Sequence, residues 1–312
     1  MLYRAKWVVP IVGDPIEDGG VLVHDGRIAA VDKAASLEEP LSAFEVCELG
    51  EAALLPGLVN AHSHLELTVM RGLLEESDFR AWIGRLTDIK LNRMTADDLL
   101  DSARLGALEA VRSGVTCCGD TCDSGLALDA LLEAGMRGVV YQEVFGPDPA
   151  QAPESMARLV AKVARLTDRA GDSGRVRVGV SPHAPFTVSA ELFRDVAGFA
   201  AERGLPMAIH TAESVAEERF MRTGTGPFAE RLAERDIAWT PPGVSTIAYL
   251  QSLGVLAGRP LLVHAVHATD ADADAIAASG AAVAHCPKSN AKFGHGIAPV
   301  ANLLARGATV GL

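Results

Sequence analysis

The chain has 312 residues, is 49% hydrophobic and carries a formal net charge of −12. That length and apolar content suffice for one large domain, or for a barrel with a small appended domain. The negative balance, with no local lysine/arginine cluster to reverse it, argues against nucleic acid and anionic membranes as partners. Five cysteines, Cys47, Cys117, Cys118, Cys122 and Cys286, are odd in number and irregular in spacing. They do not form a disulfide framework, which points to a reducing compartment. The opening MLYRAKWVVPIVGDP holds one short apolar run, broken by Pro10 and Asp14. No signal segment or membrane span is legible. The expectation is a soluble, cytoplasmic protein with a small-molecule substrate and, as one possibility, a homo-oligomeric state.

In chain order, residues 1–53 read as a small β module. Lys6–Val12 is one strand, Gly19–His24 and Arg27–Val31 form a hairpin about Asp25-Gly26, and Phe44–Leu49 is a further short strand. The stretch Leu54–His64, LLPGLVNAHSH, reads as a buried strand that ends in two histidines. Strand side chains alternate, so His62 and His64 face one side and Ser63 the other. Such a pair is either half of a metal site or a hydrogen-bonded pair of no further consequence.

After His64 strands and helices alternate. Thr95–Arg112 is a helix with Thr95 as N-cap, Asp98 three residues on and Gly114 beyond its end. The strands Val115–Cys118, Gly138–Phe145, Val176–Val180, Pro206–His210, Leu261–His264, Ala281–His285 and Ala308–Leu312 follow. Between them lie the helices Leu126–Ala134, Glu154–Ala170, Ala190–Arg203, Ala229–Arg235, Thr246–Leu253, Asp270–Ser279 and Pro299–Arg306. The strands are continuous apolar runs rather than alternating ones, as in a parallel sheet covered by helices. Counted from Leu54 this predicts α/β architecture, a (β/α)8 TIM-type barrel over 54–312 with the β module of 1–53 beside it. A doubly wound open sheet is the alternative.

Polar residues collect where the strands stop: His62 and His64, Asp120, Glu143, His183, His210, His264 and His285. His24, His267 and His295 fall elsewhere. In a barrel of this kind the C-terminal strand ends converge on one site. Three imidazoles, His62, His64 and His210, suit zinc, or iron(II), with an open position for water. His210 taken alone is also readable as a core histidine bonded to backbone. Metal-bound water loses a proton near neutrality and becomes a nucleophile. Glu213, in HTAE, stands where a carboxyl can shuttle that proton as general base and then acid, or else caps a helix. Glu217 and Glu218 fit the helix-terminal reading better. His264 faces the same centre and can orient the nucleophile. His183, between prolines in SPHAP, sits on a stiff loop suited to orienting a substrate. Cys286 reads as packing.

The stretches LLPGLVNAHSHLELT, SGVTCCGDT, VGVSPHAPFTVS, IHTAE, LLVHAVHA and AHCPKSNAKFGHGIAP occur in this order. They resemble the amidohydrolase superfamily over essentially the whole chain. Within it they resemble the branch of S-adenosylhomocysteine/methylthioadenosine, aminodeoxyfutalosine and guanine deaminases and atrazine-type chlorohydrolases. The resemblance implies one divalent metal, held by His62, His64, His210 and an aspartate. It implies Glu213 as the proton shuttle, His264 beside the hydroxide, His183 against the substrate, and Trp82, in FRAW, packed on it. The first strands match a β-sandwich domain such enzymes carry.

Two departures stand out. The branch places its aspartate ligand in a Gly-Thr-Asp-like motif after the eighth strand. Nothing here matches it, so the C-terminal part of such an enzyme is expected to be missing and the barrel truncated at its eighth strand. Glu66 stands where many relatives are uncharged; it and Glu143 are expected to read the substrate. For the acid that grips ribose in some relatives the nearest candidate is Asp88. The function implied is hydrolytic deamination of an amino-substituted N-heterocycle, an adenine nucleoside derivative first. Hydrolysis of another C–N or C–halide bond, as in guanine or a triazine, and a non-catalytic metal-binding barrel are the alternatives.

Overall fold

The Asp25-Gly26 turn, with φ of 50° and 70°, has the left-handed pair that a two-residue hairpin of matching twist requires. It joins β2 (Ile16–His24) to β3 (Arg27–Lys33). This is the computed structural model of the chain, and it describes residues 1–38, 44–74 and 79–312. The chain divides into two compact units, Met1–Leu58 and Val59–Leu312.

In the first unit β1 (Leu2–Val8) pairs antiparallel with β2. After α1 (Ala34–Glu38), β4 (Val46–Glu48) and β5 (Ala53–Leu54) pair parallel with β1. Leu2, Leu22 and Leu37 form its small core. The first strand lies four residues earlier than Lys6–Val12. Pro10 has no N–H to give a ladder, and Ile11 turns with φ 69°. The stretch from Leu54 to His64 is likewise two strands, not one. Pro56 and Gly57 interrupt it, Leu54 pairs with Val8, and β6 is Leu58–Ser63. Nor is β6 buried throughout, since Leu58 and Val59 are exposed.

The second unit continues through α2 (Phe79–Asn92), α3 (Ala96–Arg112), β7 (Val115–Cys122), α4 (Ala127–Glu133), β8 (Arg137–Val144), α5 (Ala152–Ala170), β9 (Val176–Pro182) and α6 (Ala190–Arg203). Then come β10 (Ala208–Thr211), α7 (Val215–Thr223), α8 (Pro227–Ala233), α9 (Thr246–Ser252), β11 (Leu261–His264) and α10 (Asp270–Ser279). The last elements are β12 (Ala282–Ala284), α11 (Pro287–Lys292), α12 (Val300–Ala305) and β13 (Thr309–Gly311). Helices α2 and α11 have no counterpart in the sequence reading, and α7 has one only in the helix-terminal reading of Glu217 and Glu218.

The strands form two four-stranded sheets, in the orders β6-β7-β8-β9 and β10-β11-β12-β13. Pairings β7/β8, β8/β9 and those of the second sheet are parallel. A bridge from Val180 to Met207 links β9 to the segment entering β10. At the other side Ala61 N donates to Leu312 O.

Side-chain caps fix where several of the helices start. Thr95 and Thr269 accept from the backbone of Asp98 and Asp272, whose carboxylates return to the cap N–H groups. These reciprocal bonds satisfy donors that a helix leaves open. Gly204, Gly224 and Gly280, all left-handed, end α6, α7 and α10. Between strands and helices lies one extended apolar cluster, with Leu131, Leu192, Phe193, Ile209, Phe220 and Leu262 among its residues. Burying each such side chain contributes roughly 1.5–3 kcal/mol. Among the described residues no helix is long and apolar enough to cross a membrane.

Candidate active site

Strand β7 builds the support for the histidine pair. A Cβ on Gly119 would lie 2.4 Å from Ala61 O, so glycine lets β7 run close against β6. Its neighbour Asp120 then accepts from Ser63 Oγ at 2.9 Å and from Leu65 N at 2.7 Å. That carboxylate ties down both the residue between the histidines and the chain just past them. Thr121 completes the arrangement: its carbonyl lies 2.7 Å from His64 Nδ1 and its Oγ1 3.2 Å from His62 Nδ1. With both Nδ1 atoms engaged, Nε2 is the nitrogen each ring offers elsewhere. Such outer partners hold a ligating imidazole in one tautomer and one orientation.

His210, at the end of β10, is fixed the same way, with Nδ1 3.2 Å from His183 O. The ring centroids of His62, His64 and His210 lie 4.8–5.4 Å apart. One ligand atom from each of the three falls within 4.8 Å of the others. Glu143, His183 and His210 make a second such group, and no aspartate joins either among the described residues. Burial, with repulsion between the rings, drives the imidazoles toward the neutral form. His62 falls well below its usual value, His64 to about 4 and His210 to about 3. Three neutral imidazoles with converging free nitrogens fit a divalent cation of the zinc or iron(II) kind.

Beyond Thr211 the chain leaves the strand abruptly. Ala212 has φ 49°, and the matching turn after β11 has His264 at φ 75° and Ala265 at φ 47°. Each non-glycine residue so placed costs about 1 kcal/mol or more and persists only where its surroundings hold it. Here the two turns brace each other, Ala265 N donating to Thr211 O and His267 N to Ala212 O. The first turn delivers Glu213 and the second His264. Glu213 Oε1 lies 3.4 Å from Nε2 of His264 and 3.4 Å from Nε2 of His295. Burial pushes the Glu213 carboxyl up, but the imidazoles outweigh it and hold it down at about 2. Asn290 Oδ1 fixes the His264 ring through Nδ1 at 2.9 Å.

His295 and Asn290 carry no strand-end signal, and although both lie in the family-like stretch AHCPKSNAKFGHGIAP, neither was singled out from the sequence. Glu217, read there as an ordinary helix-terminal acid, is fully buried. Its Oε1 accepts from Ala212 N at 2.8 Å and Thr246 Oγ1 at 2.9 Å, and its Oε2 from Glu213 N at 2.9 Å. The signal for it was present as S-x-x-E, Ser214 to Glu217. Glu218 is the solvent-facing acid of that helix, paired with Arg222.

Glu66 is buried and bonds Lys90 Nζ and Ser124 Oγ, while Lys90 also bonds Asp123. Burial raises the Glu66 carboxyl. It also opposes the charge on Lys90, but the two acids prevail and raise that ammonium group. Glu143 stands nearer the histidines, 4.0 Å from His183 Nε2, and its Oε1 is buried without a hydrogen bond. Burial pushes its carboxyl up to about 8. His183 is held by Thr187 Oγ1 at 2.8 Å. Trp82 packs edge-on against Phe293, centroids 4.9 Å apart. Asp88 is drawn away, into bonds with Asn92 and Arg93 on the exposed face of α2. Cys286 Sγ bonds Ala284 O.

Parallel α/β sheets with three neutral histidines converging at the strand ends define a class of chain built to hold a metal. Residues 53–312 match the family model described as "Amidohydrolase family", and the chain belongs to that family. A 5-methylthioadenosine/S-adenosylhomocysteine deaminase of Nitratidesulfovibrio vulgaris is 33% identical over 301 residues, covering 95% of this chain. A 5'-deoxyadenosine deaminase of Methanopyrus kandleri is 31% identical over 95% of the chain. The chain spans about 63% and 65% of the lengths of these relatives. Among solved structures, an adenosine deaminase from Xanthomonas campestris with bound zinc superposes with a TM-score of 0.83 at 27% identity. It covers 99% of this chain, which covers 67% of it. Helicobacter pylori aminofutalosine deaminase, in complex with methylthio-coformycin, gives a TM-score of 0.84 at 19% identity, over 99% of this chain and 75% of that one. These neighbours imply a TIM-barrel-type fold.

Proposed function

We propose that this chain carries the metal centre and proton-transfer machinery of a hydrolytic deaminase acting on an amino-substituted N-heterocycle, an adenine nucleoside derivative first. The observation that carries the reading is Glu213, 3.4 Å from both His264 and His295 and three residues past the metal-type histidine His210. The names of the relatives, deaminases of 5'-modified adenosines, support the substrate class. The bond between Ala61 and Leu312 supports reading β6–β13 as a closed barrel, with residues 1–53 a separate β module. We read the protein as a soluble enzyme of the cytoplasm.

In this reading His62, His64 and His210 hold one divalent cation, zinc before iron(II). When bound, that cation supplies Lewis acidity that brings the pKa of water to roughly 7. Glu213, ionised at rest, takes the proton of the attacking water and delivers it to the ring nitrogen beside the amino-bearing carbon. The C–O bond forms as that nitrogen is protonated. Glu213 then passes the second proton to the amine, the C–N bond breaks and ammonia leaves. General acid–base work of this kind contributes on the order of 10²- to 10⁴-fold. His264, its ring fixed by Asn290, holds the near side of the Glu213 carboxyl. His183 and Glu143 orient the heterocycle, and Trp82 packs against it. Glu66, locked to Lys90, shapes the wall of the site.

Ammonia release from the zinc-loaded protein on a panel tests this. The panel holds 5'-methylthioadenosine, S-adenosylhomocysteine, 5'-deoxyadenosine, an aminodeoxyfutalosine, guanine and an aminotriazine. Release from a 5'-modified adenosine is expected, and release from none would overturn the reading.

A further inference from the structure

The two capping boxes elsewhere in the second unit set a standard for Glu217. In α3 and α10 the third-position acids, Asp98 and Asp272, return to the N–H of the cap residue itself. Helix α7 begins in the same way, with Ser214 Oγ accepting from Glu217 N at 3.2 Å. Its third-position acid does something else. The Glu217 carboxylate passes the cap residue and takes the N–H groups of the two residues before it, Ala212 and Glu213. Those are the left-handed residue that ends β10 and the proton shuttle. Two successive N–H groups converging on one carboxyl group make a fixed backbone cradle. Thr246, from α9, donates to the same carboxylate, so the cradle is tied to a second helix. A cap alone requires neither the reach nor the complete burial.

We propose that Glu217 is a positioning residue for Glu213. By gripping the N–H groups of Ala212 and Glu213, its carboxylate holds the turn that places the Glu213 carboxyl between His264 and His295. The inference rests on the reading of Glu213 as the proton shuttle, and its test has one arm that does not.

The variant Glu217→Gln keeps the shape but turns an acceptor into an NH2 group facing Glu213 N–H. In the zinc-loaded protein, hydrogen exchange at the Ala212 and Glu213 amides should speed up about tenfold, the worth of one buried hydrogen bond. Zinc stoichiometry should stay as in the wild type. With an adenosine substrate that the wild type deaminates, kcat should fall about 10- to 100-fold with KM within about twofold, as for a misplaced catalytic group. Thr246→Val removes one donor and leaves the carboxylate. It should move exchange and kcat the same way by less, and it carries the test should Glu217→Gln not fold. Glu218→Gln, on the solvent side of the same helix, should change neither quantity. Unchanged exchange at both amides, or faster exchange with kcat intact, overturns the proposal. A wild type that deaminates nothing overturns the functional reading alone, because the exchange arm needs no turnover.

Discussion

The two sheets place their functional groups by different means. In the first, β7, β8 and β9 run eight, eight and seven residues. The histidine pair there is held by partners on the neighbouring strand: Asp120 under the turn, Thr121 on both rings. In the second sheet β10 and β11 have four residues each, β12 and β13 three. Glu213 and His264 stand at or beyond the ends of these short strands, in turns with left-handed residues. Charge follows the same division. On the first side the acids Glu66 and Asp123 are answered by Lys90. On the second, Glu213 is answered by imidazoles and Glu217 by N–H and O–H donors. The histidine pair leans on the eight-residue strand β7, whereas His210 sits on four-residue β10. The group that must pass protons sits in a strained turn whose position is set by hydrogen bonds.

The sharpest way to break this contrast is Glu213→Gln. It should lower kcat about 10²- to 10⁴-fold and leave zinc binding intact, because the three histidines keep every partner. Steady-state kinetics with metal analysis on one preparation checks both halves. A variant that loses zinc as well would show that the two sides are not separable.

Lys90→Met attacks the other side. It strands Glu66, a buried carboxylate, and should cost about 3 kcal/mol in denaturant unfolding, the range for breaking a buried pair. Adding Glu66→Gln should return much of that stability, as expected for residues that share one interaction. Additive losses would show that Lys90 acts through packing instead.

A pH series compares the two kinds of burial in the metal-free chain. The depressed imidazoles of His64, His183 and His210, at about 4, 3 and 3, bind fewer protons folded than unfolded. Their effect is that stability rises as pH climbs from about 4 to 6.5. The raised carboxyls of Glu143, Asp120 and Glu217, at about 8, 7 and 7, bind more protons folded. Their effect is that stability falls as pH climbs from about 4.5 to 8. Above 6.5 the first trend fades and the second outweighs it. Urea unfolding of the metal-free chain should therefore lose roughly 2 kcal/mol between about pH 6.5 and pH 8. A flat profile there would mean that these carboxyls are already ionised.

Sequence reasoning served the first sheet and the second unequally. The strand period alone puts His62 and His64 on one side, and continuous apolar runs mark the strands whose ends carry His183, His210 and His264. The family motifs reach Glu213. Contacts that cross the fold had no such signal. Glu66 and Lys90 are 24 residues apart, and the apolar spacing of Trp82, Ile83, Leu86 and Ile89 that marks α2 says nothing of where its Lys90 lands. His295 lies outside any strand, and it meets Glu213 only because α11 and the loop after it return to the site. Pro56 was visible, yet the run around it was apolar enough to pass for one strand. Two misses were avoidable: α2, whose apolar residues recur at helical spacing, and Glu217, which stands at the capping spacing from Ser214.

The left-handed alanines leave a mark of another kind, on the alphabet these positions tolerate. At Ala212 and Ala265, with φ of 49° and 47°, a β-branched side chain meets its own carbonyl, whereas glycine or asparagine does not. A saturation library scored for folded protein should thus keep Gly at these two buried positions, 212 and 265, and discard Val and Ile. Thr211, immediately before Ala212 at the end of β10, is buried in the parallel sheet. There the order of preference should reverse within a single step along the chain.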